Sequence, residues 1–177
     1  MHRSPAAVPD TATMRGEMRV SIHAVGRLKA GPERELSARY FDRFSKTGAA
    51  RGLTLGRIVE LPESRASTAK ARKSEEYEAL TRQIPEDSLI LALDERGKAI
   101  DSNAFAGLLQ DWSDAGRRDL AITIGGADGL DSKLIDRADM VLSLGKLTWP
   151  HQIARILLAE QLYRASTILS GHPYHRN

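Results

Sequence analysis

From Arg19 onward the chain alternates short runs of β-branched and aliphatic residues with longer stretches whose apolar positions recur every three or four residues. That alternation predicts an α/β domain built on a mainly parallel sheet of five or six strands. Strands are expected over residues 19–25, 53–61, 88–93, 120–124 and 140–144, and helices over 32–46, 64–82, 101–114, 132–137 and 150–165. In the first helix Leu36, Tyr40, Phe41 and Phe44 share a face. In the third, Phe105, Leu108, Leu109 and Trp112 follow a cap at Asp101 or Ser102 and are expected in the core. The second is dominated by Lys, Arg and Glu and reads as a mostly solvated surface.

Three of the strands run into turn-like segments: residues 94–98, 125–129 and 145–150. A doubly wound sheet gathers such segments on one edge, where ligands bind. Gly125 and Gly126 suit a close approach of backbone to a flat or phosphorylated molecule, or simply a turn. The chain has no GxGxxG opening a helix, no GxxxxGK[ST], no GxSxG and no HExxH. A standard dinucleotide site and a P-loop are therefore unsupported. His151 and Arg155 sit one turn apart at the start of the last helix, where they either cap and solvate it or meet an anion. His23, inside an alternating strand, reads as a structural histidine.

Composition changes this picture little. With 177 residues, 41% hydrophobic and 28% charged, the chain fits one folded domain with a full core. It has no cysteine, which excludes disulfides, thiolate nucleophiles and thiolate metal sites and permits the cytoplasmic location expected of it. No apolar run approaches the roughly 20 residues that span a bilayer. Residues 1–17, rich in Pro, Ala and Thr, read as a disordered extension or a misassigned start, with the domain covering 18–177. The net charge of +3 lies wholly in the last 36 residues, where Lys146, Arg155, Arg164 and Arg176 face Glu160 alone. Such a surplus is either a solvated face or a patch for a phosphate-bearing partner. The final residues hold His172, Tyr174, His175 and Arg176, types suited to proton transfer, base stacking and phosphate contact. Their spacing matches no metal motif, and no metal is expected.

The segments VSIHAVGRLK, LDERGK, ITIGGADGL, LSLGKLTWPHQIARILLAEQLYRA and HPYHR occur in an order and spacing that is specific in combination. Over about 160 residues from Met18 the chain resembles the ribosomal large-subunit pseudouridine N3-methyltransferases of the SPOUT class. The resemblance implies a deep trefoil knot at the carboxyl end of the α/β domain, a homodimer, and S-adenosylmethionine as cofactor. It places cofactor contacts at Leu93, Gly125, Gly126, Leu144, Gly145, Lys146, Leu147, Thr148, Trp149 and Pro150. At Gly145 and Lys146 the chain departs from the small or hydroxyl residues of many relatives, so only backbone contacts are expected to carry over there. The implied substrate is N3 of a pseudouridine in a hairpin loop of 23S rRNA, within the assembled ribosome.

That nitrogen must lose a proton before it attacks. His175 or Tyr174 is the expected acceptor or orienting group, and Arg155 and Arg176 the expected contacts to RNA phosphate or base oxygen. His172 and His151 are expected on the substrate side. The tail of one subunit is expected to complete the pocket of the other. Ile153, Ile156, Leu157, Leu158, Leu162 and Tyr163 spread round the last helix, as they would with one face on the core and another on a partner. The alternatives are a related methyltransferase acting on another RNA, such as transfer RNA, and a non-catalytic ribosome-binding protein of the same fold.

Overall fold

The structure is a computed structural model, and it describes residues 16–174. Most of the segment expected to be disordered, residues 1–15, lies outside that range, as do His175, Arg176 and Asn177. Five strands, β1 (Met18–Val25), β2 (Leu53–Leu61), β3 (Leu89–Ala99), β4 (Asp119–Ile124) and β5 (Met140–Ser143), form one sheet in the order β2-β1-β4-β3-β5. Every neighbouring pair is parallel. The helices are α1 (Pro32–Gly48), α2 (Ala69–Thr81), α3 (Ser102–Asp114), α4 (Ser132–Arg137) and α5 (His151–Ser170).

The two-residue period of β1 sorts its side chains between two cores. Val20, Ile22 and Ala24 join Phe41 and Phe44 of α1, Phe105 and Leu109 of α3, and Leu158 and Leu162 of α5. Val25 points the other way, to Leu80 of α2 and Leu134 of α4. Buried aliphatic and aromatic side chains of this size contribute about 2 kcal/mol each. Leu108 and Trp112 of α3 are only half-buried, so that face of the helix is core for Phe105 and Leu109 and rim for the other two.

Three boundaries differ from the sequence pattern. In β3, Leu93 and Lys98 both pair with Leu142, so the expected turn is an arch inside a strand that leaves β5 and returns to it. The Asp94 carboxylate closes the arch, accepting from the Arg96 amide at 2.9 Å and from its guanidinium at 2.8 and 2.9 Å. Gly97 is required there, because a Cβ would meet the backbone of Val141 and Leu142 at 2.7 Å. Helix α2 starts later than residue 64, since Thr68 caps it by accepting from the Ala71 amide at 3.2 Å. Helix α5 runs past residue 165 to a left-handed Gly171. Its Ser166, Thr167 and Ser170 hydroxyls donate back to carbonyls three or four residues earlier, so these polar side chains are absorbed by the helix.

Candidate active site on the carboxyl edge of the sheet

Parallel pairing puts all five carboxyl ends on one edge. Leu93 lies beside Ile124 of β4 on one side and Leu142 of β5 on the other, so the three suspected loops leave adjacent strands at the same level. Each is shaped by its own backbone demands. A Cβ on Gly125 would lie 2.6 Å from the carbonyl carbon of Gly129, so this glycine lets the loop fold upon itself. Gly126 packs beneath Val25 and Glu76. Gly145 has φ +119° with open space where a Cβ would stand, and the Ser143 hydroxyl braces it, donating to its carbonyl at 2.8 Å and accepting from its amide at 3.2 Å.

The third loop then crosses the edge. Thr148 donates to Glu95 in the β3 arch at 3.3 Å, and His151 packs so closely on Gly26, just past β1, that a Cβ on Gly26 has no room. From β5 to β1 is three strand spacings, about 14 Å, so residues 144–150 pass over the ends of β3 and β4. Leu147 and Trp149 in this crossing are 70% and 40% exposed, unusual for large apolar side chains.

Side chains that the sequence did not single out hold the loops in place. Arg72 of α2 grips Asp128 through two bonds of 2.6 and 3.1 Å, fixing the loop after β4. Glu76 is buried beside Gly126 and accepts from the Ser64 amide at 3.0 Å. Burial pushes its carboxyl up from the usual range, with Glu63 and Asp128 adding to the shift. The helical spacing of the α2 charges gave no sign that two of them turn inward.

Arg155 occupies a different place from the one expected. It is 1% exposed, with its guanidinium donating to Glu60 at 2.5 Å and to the carbonyl of Gly26 at 2.8 Å. Burial pulls its pKa below the ordinary arginine value against the opposing pull of Glu60. In this chain the expected phosphate contact is a tie between α5 and the ends of β1 and β2. Glu60 also receives Arg34 at 3.2 Å and the Leu28 amide at 3.1 Å. His151 is half-buried, 3.9 Å from Glu63, and its Nδ1 has no hydrogen-bond partner among the described residues.

The tail assembles elsewhere. Tyr174 packs on Tyr163 with ring centroids 4.6 Å apart, lies under the Arg164 guanidinium at 5.2 Å, and donates to Glu160 at 3.2 Å. Glu160 in turn accepts from Arg164 at 2.5 Å. Tyr40 and Arg43 of α1 complete the group around Tyr163. Burial, hydrogen bonding with Tyr40 and the charge of Glu160 push the Tyr174 phenol up to about 12. His172 is exposed, and its Nδ1 accepts from the Tyr174 amide at 3.2 Å. The structure thus gathers Leu93, Gly125, Gly126 and residues 144–150 on one edge, and His172 with Tyr174 beyond the far half of α5. His175 and Arg176 lie outside the described residues.

Among the described residues no His, Asp or Glu cluster could hold a metal, and no helix is long and apolar enough to cross a membrane. A parallel sheet with three loops over its carboxyl edge and no nucleotide fingerprint defines an α/β protein whose candidate ligand edge lacks the Rossmann motif. A family model described as "Predicted SPOUT methyltransferase" matches residues 18–175, and the chain belongs to that family. It is 64% identical over 159 residues to "Ribosomal RNA large subunit methyltransferase H" of Rhizobium leguminosarum bv. trifolii (strain WSM2304), covering 90% of this chain and 99% of the relative. The proteins of the same name from Rhizobium etli (strain CIAT 652) and Agrobacterium fabrum (strain C58 / ATCC 33970) are 65% and 64% identical over the same shares. The chain is a methyltransferase, and such an enzyme needs a methyl donor.

Proposed function

We propose that the chain is an S-adenosylmethionine-dependent enzyme that methylates N3 of a pseudouridine in large-subunit ribosomal RNA, working as a homodimer on the assembled ribosome. Identity above 60% across nearly the whole length of relatives named for ribosomal RNA methylation carries this reading. The carboxyl edge fits the cofactor: Gly145 opens toward unfilled space, and the buried Nδ1 of His151, packed on Gly26, has no hydrogen-bond partner among the described residues. Leu93, Gly125, Gly126 and residues 144–150 would hold it, chiefly through backbone. When bound, it supplies a methyl group already activated on a sulfonium. The polypeptide has only to position the acceptor nitrogen, exclude water and take away one proton.

Tyr174 is assigned to positioning. Its phenol keeps its proton at neutral pH and is held by Glu160 and Arg164, so it orients the base or its oxygen rather than accepting the proton. That leaves His175 as acceptor, with Arg176, His172 and Arg164 contacting RNA. Arg155 acts through Gly26 and Glu60 as a positioning residue for the loop edge.

Two features support a dimer with shared sites. The described part of the tail, which ends at Tyr174, folds back to Glu160, about 14 Å along α5 from His151, whereas methyl transfer needs the reacting atoms about 3 Å apart. A second subunit's tail removes that gap. Ile153, Ile156 and Leu157 are half-exposed on α5, beside the exposed Leu147 and Trp149, while Leu158, Leu162 and Tyr163 fill the chain's own core. A carboxyl-terminal trefoil knot is part of this reading, supported by the passage of residues 144–150 across the strand ends and the packing of α5 on α1 and α3.

The test is transfer of labelled methyl from S-adenosylmethionine to ribosomes lacking the modification, followed by mass-spectrometric mapping of the nucleotide. A methyl on N3 of a large-subunit pseudouridine is expected. Transfer only to transfer RNA, or binding without transfer, would refute the reading.

A further inference from the structure

On the sheet face that carries α2 and α4, near the amino ends of the strands and away from the cofactor loops, lies a cavity of about 240 Å³. Its polar lining is Arg19, Ser21 and His23 of β1, Arg57 of β2, Asp119 of β4, and Ser88 before β3. The hydrophobic pattern alone makes these positions odd. In a central strand of a parallel sheet both faces are ordinarily apolar, yet His23 is fully buried there. Neither ring nitrogen of His23 has a hydrogen-bond partner among the described residues, and neither has the buried Ser88 hydroxyl. Buried polar groups are nearly always satisfied, so three orphaned atoms around one cavity point to a polar occupant.

The local backbone supplies it with positive charge. Between Val20↔Leu55 and Ile22↔Ile58 the β1–β2 register slips by one residue, so Gly56 and Arg57 together face Ser21. Such a bulge re-aims a side chain. Here the residue it turns is Arg57, steadied by donation to the Gln83 carbonyl at 3.2 Å. Gly56 makes the room, since a Cβ there would lie 2.8 Å from Arg19 Cγ. Asp119 is neutralised by Arg19 at 2.8 Å, which leaves Arg57 as the uncompensated charge of the cavity. Burial, with Arg57 adding, keeps His23 neutral by lowering its pKa to about 4. A neutral imidazole offers one donor and one acceptor, and the hydroxyls of Ser21 and Ser88 offer donors.

We propose that this cavity binds a phosphate-type oxyanion, held by Arg57 with Arg19, Ser21, Ser88 and a ring N–H of His23. The source is free phosphate or a backbone phosphate of RNA, and the experiment separates them.

The histidine side chains of the full-length protein, labelled with ¹⁵N, are followed by NMR during titration with inorganic phosphate at constant ionic strength. Saturable shifts confined to the His23 ring are expected, with Arg57→Gln weakening the apparent affinity about tenfold, the loss of one charge-assisted contact. Ser88→Ala gives a smaller loss and serves as the second variant, since it disturbs the fold least. If the site takes RNA phosphate, a short RNA hairpin produces the same His23 shift and phosphate displaces it. If it takes free phosphate, the hairpin leaves His23 unmoved while phosphate still saturates. Absence of any saturable His23 shift, or a shift that both variants leave unchanged, overturns the proposal.

Discussion

Arg155 and Arg164 lie nine residues apart on α5 and meet opposite fates. Arg155 is enclosed, its pKa lowered by burial while Glu60 opposes the shift, and it joins the helix to the ends of β1 and β2. Arg164 is partly exposed beside Tyr174, its pKa raised by the hydrogen bond to Glu160. The amino half of the helix is thus fastened into the loop edge, and the carboxyl half presents a polar, aromatic surface. Charge counting along the sequence treats the two arginines alike, but only one is available to a phosphate.

The sharpest way to break this contrast is to truncate both. Arg155→Ala takes one of two charged partners from Glu60, removes the donor to the Gly26 carbonyl and empties a buried site, and should cost about 3 kcal/mol of unfolding free energy in denaturant titration. Arg164→Ala should cost less than about 1 kcal/mol and show its effect in turnover instead. Equal stability losses would erase the distinction. Next in size is a pH effect from the sheet. His23 has its pKa lowered from 6.5 to about 4 in the fold, so the unfolded chain binds this proton more readily. Its contribution is full above pH 6.5 and is lost as pH falls toward 4, on the order of 3 kcal/mol in all. His23→Val should flatten that part of the stability profile, measured by unfolding at a series of pH values.

Smaller effects sharpen the division between edge and tail. Tyr174→Phe should lower kcat about tenfold while leaving cofactor affinity unchanged, as expected for an orienting hydroxyl. Thr148→Ala removes the clasp to Glu95 and should weaken cofactor binding by about threefold with little change in kcat, measured by calorimetry and steady-state kinetics.

The sequence pattern was a good guide where local chemistry and tertiary demand agreed. All five strands and all five helices overlap the spans the periodicity predicts, with only the ends of β3, α2 and α5 clearly displaced, because each carries an apolar face. The three loops were legible from their glycines and from the rule that parallel strands present ligand loops on one edge. The β3 arch was not, because the turn chemistry of Asp94–Arg96 is local while the return to β5 depends on a backbone contact at Gly97. The inward turn of Arg155 and Glu76 was equally invisible. Each is satisfied by groups far off in the chain, Glu60 and Gly26 for one and the Ser64 amide for the other. The charge count set Glu160 against four basic residues but showed neither its pairing with Arg164 nor its use in holding Tyr174.

The central claim is that the edge of one subunit and the tail of another make each active site. Mixing two inactive variants tests it most directly. Gly145→Val distorts the third loop at a positive φ, and the double substitution Tyr174→Ala with His175→Ala disables the tail. If tails act across the dimer, a mixed pair contains one intact edge facing one intact tail. Methyl transfer should then return to roughly one quarter of wild type after random reassortment of a two-fold dimer. If each tail serves its own edge, every site in the mixture keeps one defect, and no activity above that of the separate variants would appear.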